Sequence, residues 1–537
     1  MGGIGYMKNN KFYYATAFIS GMCIMGVELS ASRLLSPYFG TTNLIWSIII
    51  CLIMVGTSIG YYLGGKKADK SETVIPLYKN LIICGVWVLL IPLISNVVII
   101  FTLFISNVIS PINVLLIGAF LSSLIMFLFP LLLLGMVSPF LAKYCINDLT
   151  KTGSVIGKIS LFTTIGSIIG TLLPSFVLIP LLGVKRTFIF WGIILIVLGI
   201  SSNILFKHRV TSTIVKLGLI IVVAVALTST SLNLEGKPIC EAESQYNYLC
   251  VKEKNNELGL YTNNLIGTQS IYINDGKNKT GYYYDYLLPV PLFLADYSKQ
   301  DEIKVLMIGY GTGTLYKLMD NYFSNLKITG VEIDQKVMDL AEDYFDYNKK
   351  DVSVLVEDGR NYLYKNSKRQ NEKYDIIIID VYQDISLPLN FTTQEFFKLC
   401  KENLKDNGVV AMNVALGNRC DSVLVESLGQ TLKSTMNSVY CYKSEGDSNV
   451  IVVGSDRSEL KENFFNNIAN VEDDNIKDIG EKIKKSIVKI DKDEIVVTDD
   501  KNNLEIIQQK ALAGILKDEL DTAINFKINI TFGQSGK

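Results

Sequence analysis

Long apolar runs dominate the first half of the chain, and charged residues interrupt them only at intervals. Crossing roughly 30 Å of hydrocarbon takes about 20 helical residues. Residues 80–142 contain no charged residue, which is compatible with two long helices and a re-entrant piece or with three short helices. The pattern predicts a multi-pass α-helical membrane domain over residues 1–235 with seven or eight spans, its apolar runs lying near 12–31, 42–64, 77–97, 112–137, 155–180, 187–206 and 212–232.

The second half of the chain carries shorter apolar runs. Over residues 236–290, alternating segments such as YLCVKE, GLYTN and SIYIND predict a small antiparallel β domain. Over residues 291–455, the apolar segments KVLMIG, KITGVEI, SVLVED and YDIIIID alternate with helical stretches, which predicts an α/β domain with a parallel sheet covered by helices on both faces. Residues 456–537 mix acidic and basic residues at helical spacing, and we expect this segment to complete the domain.

The two halves also differ in charge. Residues 1–235 carry 15 Lys+Arg and 5 Asp+Glu, a net of +10, whereas the remainder carries 36 and 47, a net of −11. This contrast predicts a membrane domain fused to a water-soluble one. The lysines lie between apolar runs, which predicts a cytoplasmic N-terminus and argues against a nucleic-acid partner. Seven spans would place the second half outside the cell and eight would place it inside, so its side stays open.

Cysteine and histidine are too sparse to predict a metal site. The nine cysteines form no Cys-x-x-Cys pair, and His208 is the only histidine. Cys240 and Cys250 lie ten residues apart, and they form either a hairpin disulfide or two free thiols. We therefore expect no metal cofactor and leave the pairing of these two thiols open.

Two ionisable residues and two groups of glycines stand out in the membrane half. Glu28 and Arg33, at the end of the first run, either line a polar cavity or lie at the membrane interface. The glycines are expected to allow close helix packing, and they are Gly56, Gly60 and Gly64 with Gly153, Gly157, Gly166 and Gly170.

A glycine-rich turn follows the first strand of the predicted parallel sheet, with Gly309, Gly311 and Gly313 at alternate positions. Open α/β sheets bind ligands at the carboxyl ends of their strands, and glycine lets a turn pass close beneath a nucleoside. The third glycine comes one residue too early for the dinucleotide fingerprint. The turn therefore predicts an adenosine ligand without a pyrophosphate, such as S-adenosylmethionine or a derivative.

Acidic residues mark the ends of the next three strands. Glu332 is suited to accept hydrogen bonds from both ribose hydroxyls, Asp358 with Gly359 is placed to meet an adenine edge, and Asp380 closes the fourth strand. Ordinary helix caps and turns are the alternative explanation of these residues.

Several segments resemble a known family. VLMIGYGTGTL, GVEIDQKV, VEDGRNYL and YDIIIIDVYQD resemble the nucleoside-binding motifs of spermidine synthases, the aminopropyltransferases. AESQYNYLCV and GTQSIYIND resemble the N-terminal β domain of that family, including its glutamine-bearing strand. ELSASRLLSPYFG, GYYLGGKKADK and LGMVSPFLAKY are similar to the membrane-bound, transporter-like fusions of the family. The resemblance implies a Rossmann-like class I S-adenosylmethionine-dependent transferase fold and a multi-pass protein of the cell membrane.

The resemblance also implies an activity and a site. The enzyme would move the aminopropyl group of decarboxylated S-adenosylmethionine to a small amine and release methylthioadenosine, without a metal, and a homodimer through the synthase domain is a further expectation. Asp380 and Tyr382 would be catalytic, Asp380 by accepting the proton of the amine and Tyr382 by presenting its ring face to the sulfonium charge, with plain packing as the alternative for Tyr382. The donor-binding residues would be Gln269, Gly309, Gly311, Gly313, Glu332, Ile333, Asp358 and Gly359. Residues expected near the acceptor are Tyr246, Tyr283, Asp285 and Asp384.

The departures from the family leave two alternatives. Thr312 stands where the soluble enzymes have an acid, which favours intact S-adenosylmethionine and its carboxylate, used for methyl transfer or cleaved by internal attack. Asp384 is displaced by one position and Asp285 replaces a glutamate, which argues against putrescine as acceptor. The second alternative is a transporter whose soluble half senses a nucleoside or a polyamine, with Glu28 on its pathway.

Overall fold

The computed structural model describes a chain that divides into two compact units, Met1–Leu234 and Glu235–Lys537. The predicted seventh apolar run, 212–232, lies outside the described residues, as do Gln383, Asp384 and Ile385. The described residues are 10–39, 43–109, 114–146, 148–206, 238–254, 257–262, 268–273, 279–295, 297–369, 372–382, 386–415, 420–446, 448–491, 496–508 and 510–511.

The first unit is helical. Its helices are α1 (Asn10–Phe39), α2 (Asn43–Lys70), α3 (Ile75–Ile109), α4 (Val114–Gly135), α5 (Val137–Cys145), α6 (Thr152–Leu173), α7 (Ile179–Leu182) and α8 (Val184–Phe206), with a 3-10 turn at Leu149–Lys151 and a π-helical turn at Pro174–Leu178. Within the described residues, six helical segments are long and apolar enough to cross a membrane. They are Asn10–Ser36, Asn43–Lys70, Ile75–Ser106, Leu116–Cys145, Leu149–Leu182 and Val184–Ser202.

Within the described residues, the uncharged stretch 80–142 belongs to two helical segments that are long and apolar enough to cross a membrane, not three. The second contains Pro130, which has no amide hydrogen and therefore leaves the carbonyl of Met126 without its helical donor. The indole Nε1 of Trp87, on α3, donates to that carbonyl at 2.9 Å. Because unpaired backbone groups are costly away from water, this bond lets α4 keep its proline inside the helix pair.

Glycines bring helices together at some of the predicted positions but not at all of them. A Cβ on Gly166 or Gly170 would lie 1.9 or 2.1 Å from a carbonyl oxygen of α1, so only glycine fits there. Gly60 meets α4 in the same way, at 2.3 Å from the carbonyl oxygen of Leu132. Among the described residues, nothing lies within 4 Å of a Cβ placed on Gly153 or Gly157, so these two glycines do not bring described helices together.

The basic end of this unit is formed by two segments of the chain, the end of α2 and the last turn of α5. The ammonium group of Lys143, in the last turn of α5, donates to the carbonyls of Ala68, Asp69 and Ser71 at 2.6 to 3.1 Å. These carbonyls end α2, whose last turn carries Lys67 and Lys70. The lysines of α2 and α5 therefore lie at the same end of the helical unit, as the charge pattern predicts. Glu28 is only 8% exposed within α1, so its side chain packs inside the helical unit. Whether it lines a polar cavity or lies at the depth of the membrane interface stays a prediction.

The second unit contains two sheets. Strands β1 (Pro238–Glu243), β2 (Tyr248–Lys254), β3 (Glu257–Thr262) and β4 (Thr268–Ile271) form an antiparallel meander. The larger sheet has the order β12-β10-β11-β9-β8-β5-β6-β7. Its strands are β5 (Ile303–Ile308), β6 (Leu326–Glu332), β7 (Ser353–Val356), β8 (Tyr374–Ile379), β9 (Leu404–Ala415), β10 (Ser438–Lys443), β11 (Asn449–Ser455) and β12 (Val488–Lys489).

Strands β5 to β9 of the larger sheet run parallel, and β10 to β12 are antiparallel additions. Every residue of β8 is buried, as expected for a central strand covered on both faces. The covering helices are α9 (Tyr284–Leu287), α10 (Thr314–Tyr322), α11 (Gln335–Tyr344), α12 (Gly359–Arg369), α13 (Gln394–Asn403), α14 (Val423–Lys433), α15 (Leu460–Ala469) and α16 (Asp474–Ser486). This topology confirms the predicted α/β, Rossmann-like transferase fold.

Two apolar clusters form the core on opposite faces of the larger sheet. Ile376 and Ile378 of β8 point into one cluster, whereas Ile377 and Ile379 point into the other. Alternate residues of a strand face opposite sides, so one apolar run supplies both clusters. The strand ends that carry the polar motifs therefore project from a rigid sheet.

The meander settles the state of the two thiols. Cys240 is paired with Val251, and Cys250 is paired with Glu241. Paired residues share a face and neighbours alternate, so the two cysteines lie on opposite faces of the sheet and cannot bond. Both are free.

Candidate functional site

A cavity of about 420 Å³ lies where the carboxyl ends of β5, β6, β7 and β8 meet. Strand β5 has β6 on one side and β8 on the other, so the strand order reverses here, and open α/β sheets bind ligands at such a point. Both Glu332 and Asp380 line this one cavity. The other sequence-predicted residues that line it are Gln269, Gly309, Gly311, Ile333, Asp358, Gly359, Tyr246, Tyr283 and Tyr382.

The glycine turn depends on left-handed backbone conformations. Gly309, Gly311 and Gly313 have φ of 86°, 59° and 91°. A Cβ on Gly309 would lie 2.0 Å from the backbone oxygen of Asp380, so the turn can sit against β8 only without a side chain there. Gly313 is the N-cap of α10 and packs on Tyr310 outside the cavity lining, which makes its contribution structural.

The Glu332 carboxylate is held by backbone amides. The amide of Gly311 donates to Oε2 at 2.9 Å, and the amide of Asp334 donates to Oε1 at 3.1 Å. Burial raises the pKa of Glu332 to about 7, although these two amide bonds oppose the shift. Each carboxylate oxygen keeps a lone pair that a vicinal diol can use. Asp334 is itself fixed, because its Oδ2 accepts a bond of 2.5 Å from the hydroxyl of Ser244 on the meander side.

Asp358 and Gly359 form the far wall of the cavity. The Oδ1 of Asp358 accepts a 2.8 Å hydrogen bond from the amide of Asn361, so this residue also caps α12. A Cβ on Gly359 would lie 2.2 Å from Ile308 and 3.3 Å from the ring of Phe391. Gly359 is thus required for the close packing of this wall, and Ile333, 39% exposed, covers a neighbouring part of the lining.

Asp380 is held by side chains. The hydroxyl of Tyr283 donates to Oδ2 at 3.0 Å, and Nδ2 of Asn413 donates to Oδ1 at 2.9 Å. Asn449 in turn donates to Oδ1 of Asn413 at 2.8 Å, which fixes the orientation of that amide. Burial raises the pKa of Asp380 to about 6, and the bonds from Asn413 and Tyr283 oppose the shift. The carboxyl is therefore ionised at neutral pH and basic enough to accept a proton.

Tyr382 has its hydroxyl committed to the backbone. It donates to the carbonyl of Asn413 and accepts from the amide of Ala415, both at 2.6 Å. A hydroxyl with both bonds made has no proton to offer a substrate, so Tyr382 contributes the face of its ring to the cavity wall. The hydroxyl is therefore not the group that transfers a proton, and the expected contact between the ring face and the sulfonium stays a prediction.

The acceptor-side residues divide into three groups. Tyr246, 37% exposed, and Tyr283 line the cavity. Asp285 does not line it, because its two oxygens accept bonds of 2.7 to 2.8 Å from Thr280 and Gly281. Asp285 therefore stabilises the turn before α9, which corrects the expectation that it binds substrate, and Asp384 lies outside the described residues.

Sequence reasoning missed three residues of the site. Asn413 is a buried amide within the apolar segment VVAMNVA, and a single polar residue in a central strand is the sequence signal that marks it. Tyr284 lines the cavity, stacks near Tyr283 with ring centroids 4.2 Å apart, and donates to the carbonyl of Gln269 at 2.6 Å. The Ser270 hydroxyl accepts from the amide of Thr312 at 3.2 Å.

The charge of the cavity is negative. Glu332, Glu357, Asp358 and Asp380 line it, and no lysine or arginine is among the described lining residues. Thr312 is 2% exposed and outside the lining, so its hydroxyl is not placed to receive a ligand carboxylate. Such a cavity favours a cationic ligand that lacks a carboxylate of its own. Across the described residues, no group of three or more His, Cys, Asp or Glu is arranged to hold a metal ion.

Comparison with known proteins agrees with the motifs. Residues 282–445 match the spermine/spermidine synthase domain. A protein of Bifidobacterium longum (strain NCC 2705) named probable polyamine aminopropyl transferase is 33% identical over 297 residues, covering 52% of this chain and 64% of that protein. The polyamine aminopropyltransferase of Buchnera aphidicola subsp. Acyrthosiphon pisum (strain Tuc7) is 33% identical over 138 residues, covering 24% and 46%. The chain thus spans less than two thirds of either relative.

A crystal structure described as a probable spermidine synthase from Corynebacterium glutamicum ATCC 13032 is also similar, with 20% identity, a TM-score of 0.36, and coverage of 44% of this chain and 89% of that one. The family match of residues 282–445 spans most of the strand ends that form the cavity. This chain therefore contains a spermine/spermidine synthase domain.

Proposed function

We propose that the second unit transfers the aminopropyl group of decarboxylated S-adenosylmethionine to a small amine and releases methylthioadenosine. The observation that carries the proposal is the placement of Glu332 and Asp380 at two strand ends of one cavity. Glu332 would bind the ribose hydroxyls, and Asp358 with Gly359 would face the adenine. The aminopropyl end of the donor would then extend toward Asp380.

The reaction is a displacement at the carbon bonded to the sulfonium. The amine lone pair forms the new carbon–nitrogen bond, the carbon–sulfur bond breaks, and its electron pair leaves with the neutral thioether. The amine loses one proton, which the carboxylate of Asp380 accepts. Tyr283 and Asn413 orient that carboxylate, so the base and the reacting carbon meet in a fixed geometry.

The negative lining supports a decarboxylated donor. That donor carries a sulfonium and an ammonium group, whereas intact S-adenosylmethionine adds a carboxylate that would face Glu332, Glu357, Asp358 and Asp380 without a basic partner among the described lining residues. A ligand carboxylate that faces other carboxylates in the same cavity binds less tightly, because like charges repel. Thr312 lies outside the lining, so the replacement of an acid at that position provides no partner for the carboxylate of intact S-adenosylmethionine.

We further propose that the first unit embeds the chain in the cell membrane with its N-terminus in the cytoplasm. The support is a set of apolar side chains left exposed on the helices, among them Val97 at 68% and Phe101 at 56%. Water disfavours such a surface and lipid does not. The basic ends of α2 and α5 then mark the cytoplasmic side.

Product analysis on the purified full-length protein tests the activity. The protein is incubated with decarboxylated or intact S-adenosylmethionine, with and without diamines, and the products are followed by mass spectrometry. We expect methylthioadenosine and an aminopropylated amine in equal amounts from the decarboxylated donor. Methylthioadenosine without an amine product would indicate cleavage of the donor, S-adenosylhomocysteine would indicate methyl transfer, and no turnover with either donor would contradict the proposal.

A further inference from the structure

The C-terminal part of the described chain packs against one wall of the cavity. We call residues 496–508 the C-terminal strap and residues 386–392 the wall loop. Val497 and Leu504 of the strap are 1% and 0% exposed, and they belong to the same apolar cluster as Leu387 and Phe391 of the wall loop. The backbone of Val497 is also bonded, since its carbonyl accepts from the amide of Gln394 at 2.8 Å. The strap is therefore a packed part of the domain.

Three backbone carbonyls of the wall loop accept hydrogen bonds from side chains outside it. Gln508, only 3% exposed, donates to the carbonyl of Leu387 at 3.2 Å, and Asn502 donates to that of Leu389 at 3.3 Å. The third donor is Arg360, whose Nη1 lies 2.9 Å from the carbonyl of Asn390. Two of these donors belong to the strap itself.

Arg360 joins the strap to the site. Its Nη1 and Nη2 donate to the two oxygens of Asp499 at 2.9 and 2.6 Å, a bidentate pair. The pair is partly shielded, with side-chain exposures of 24% and 43%. Because the planar guanidinium fixes the directions of its donors, one side chain can hold the carboxylate and the wall-loop carbonyl together. Arg360 also follows Gly359 directly, so it lies in the first turn of α12.

The wall loop faces the proposed adenine position. Pro388, Asn390 and Phe391 line the cavity. A Cβ on Gly359 would lie 3.3 Å from Phe391, so the ring rests against the residue that follows Asp358. The position of the wall loop therefore sets the width of the cavity at this end.

We propose that the C-terminal strap, acting through the Arg360–Asp499 pair, holds the wall loop in the position that binds the adenine end of the nucleoside. Arg360 is then a positioning residue, and the strap is part of the binding site without touching the ligand. A loop that is ordered before binding costs less conformational entropy when the ligand arrives. This inference rests on the proposed nucleoside site and adds the specificity device that shapes it.

Calorimetric titration of the full-length protein in detergent with methylthioadenosine tests the inference. Asp499→Asn removes the ionic half of the bidentate pair and keeps the side-chain volume, whereas Asp499→Glu keeps the carboxylate. Asp456→Asn is the matched control, because Asp456 forms a comparable pair with Lys401 at 2.9 Å, exposed by 37% and 45%, and neither residue lines the cavity. The thermal midpoint of each variant is measured in parallel.

We expect Asp499→Asn to raise the Kd about fivefold, since a partly exposed bidentate pair contributes roughly 1 kcal/mol. Asp499→Glu recovers most of the affinity, and Asp456→Asn binds as the wild type does. The KM for the donor rises with the Kd, while kcat at saturating donor is unchanged. Added salt reduces the difference between the wild type and Asp499→Asn, because the pair is screened.

Two results would contradict the role of the strap, and a third would contradict the proposed function instead. Unchanged affinity in Asp499→Asn, with normal binding by the wild type, would overturn the role of the strap. Loss of affinity in Asp456→Asn to the same extent, accompanied by an equal fall in the thermal midpoint, would also overturn it, since the effect would then be general destabilisation. Absence of methylthioadenosine binding by the wild type would instead contradict the proposed function.

Discussion

Glu332 and Asp380 line the same cavity, but the molecule holds their carboxyl groups in different ways. Glu332 accepts bonds from the backbone amides of Gly311 and Asp334, 21 and 2 residues away in sequence. Asp380 accepts bonds from the side chains of Tyr283 and Asn413, 97 and 33 residues away. Backbone donors are fixed by the turn itself, whereas side-chain donors depend on the packing of separate elements. The comparison suggests a binding carboxylate of fixed geometry and a reactive carboxylate whose basicity substitutions can tune.

The largest expected effect is the loss of activity when Asp380 is replaced. Asp380→Asn removes the base, and we expect kcat to fall about 10³-fold because positioned proton transfer contributes about that much. Affinity for methylthioadenosine stays close to the wild-type value. Steady-state kinetics and calorimetry on one preparation check both results. A protein that only senses a nucleoside or a polyamine would have no turnover to lose.

The next largest effect is the loss of nucleoside affinity when Glu332 is replaced. Glu332→Gln keeps the shape of the side chain but replaces a charged acceptor by a neutral amide. We expect the Kd for methylthioadenosine to rise about 10- to 100-fold, since hydrogen bonds to a charged group contribute about 1.5 to 3 kcal/mol. Calorimetry measures the Kd, and kcat at saturating donor is expected to change much less. A large fall in kcat with unchanged affinity would reverse the proposed division of roles.

The pH dependence of nucleoside binding tests whether the ionised form of Glu332 binds the ribose. Methylthioadenosine does not titrate near neutral pH, so any dependence there comes from the protein. The ribose hydroxyls donate to the ionised form of Glu332, whose pKa in the free protein is about 7. Affinity is therefore full about one pH unit above 7 and falls as the pH drops, by up to about tenfold per pH unit, until the carboxyl is protonated in the complex as well. Calorimetry from pH 5.5 to 8.5 tests this, and Glu332→Gln removes the dependence.

A smaller effect concerns the basicity of Asp380. Asn413→Leu removes a hydrogen bond that favours the ionised carboxylate, so the pKa of Asp380 rises above about 6. We expect the acid limb of the kcat profile to move to higher pH, with kcat at neutral pH reduced about tenfold. Asn449→Ala, one hydrogen bond further away, gives a smaller shift in the same direction. A shift of the limb to lower pH would contradict the assignment.

The smallest catalytic effect is expected at Tyr382. Tyr382→Phe keeps the ring in the cavity wall and removes a hydroxyl bonded to the backbone of Asn413 and Ala415. We expect the free energy of unfolding to fall by about 1 to 2 kcal/mol, because two backbone groups lose a partner. The donor KM and kcat change within about twofold, well below the contribution of a group that transfers a proton. Denaturation and kinetics check the two results, and a collapse of kcat would contradict the assignment of the hydroxyl to the backbone alone.

Local patterns predicted the elements and most of the strand-end residues. The apolar run of β8 predicts a strand that is buried on both faces, and the glycines after β5 predict a turn with left-handed φ. Both predictions depend only on neighbouring residues. The sequence did not predict that the oxygens of Asp285 bond within its own turn, or that the hydroxyl of Tyr382 reaches the backbone of β9. The residue type limits which hydrogen bonds a side chain can form, and the residues near it in the folded protein determine which of them it forms.

The amino-acid pattern alone predicted the division into an apolar half and a charged half, the strands and helices from β5 to β8, and the glycine turn at the end of β5, because each depends on residues close together in the chain. Three features became apparent only from the tertiary structure. Asn413 orients Asp380, and Cys240 and Cys250 lie on opposite faces of the meander. Arg360 binds Asp499, which is 139 residues away in the sequence. These features depend on strand register and on loop packing, which arise from the whole fold.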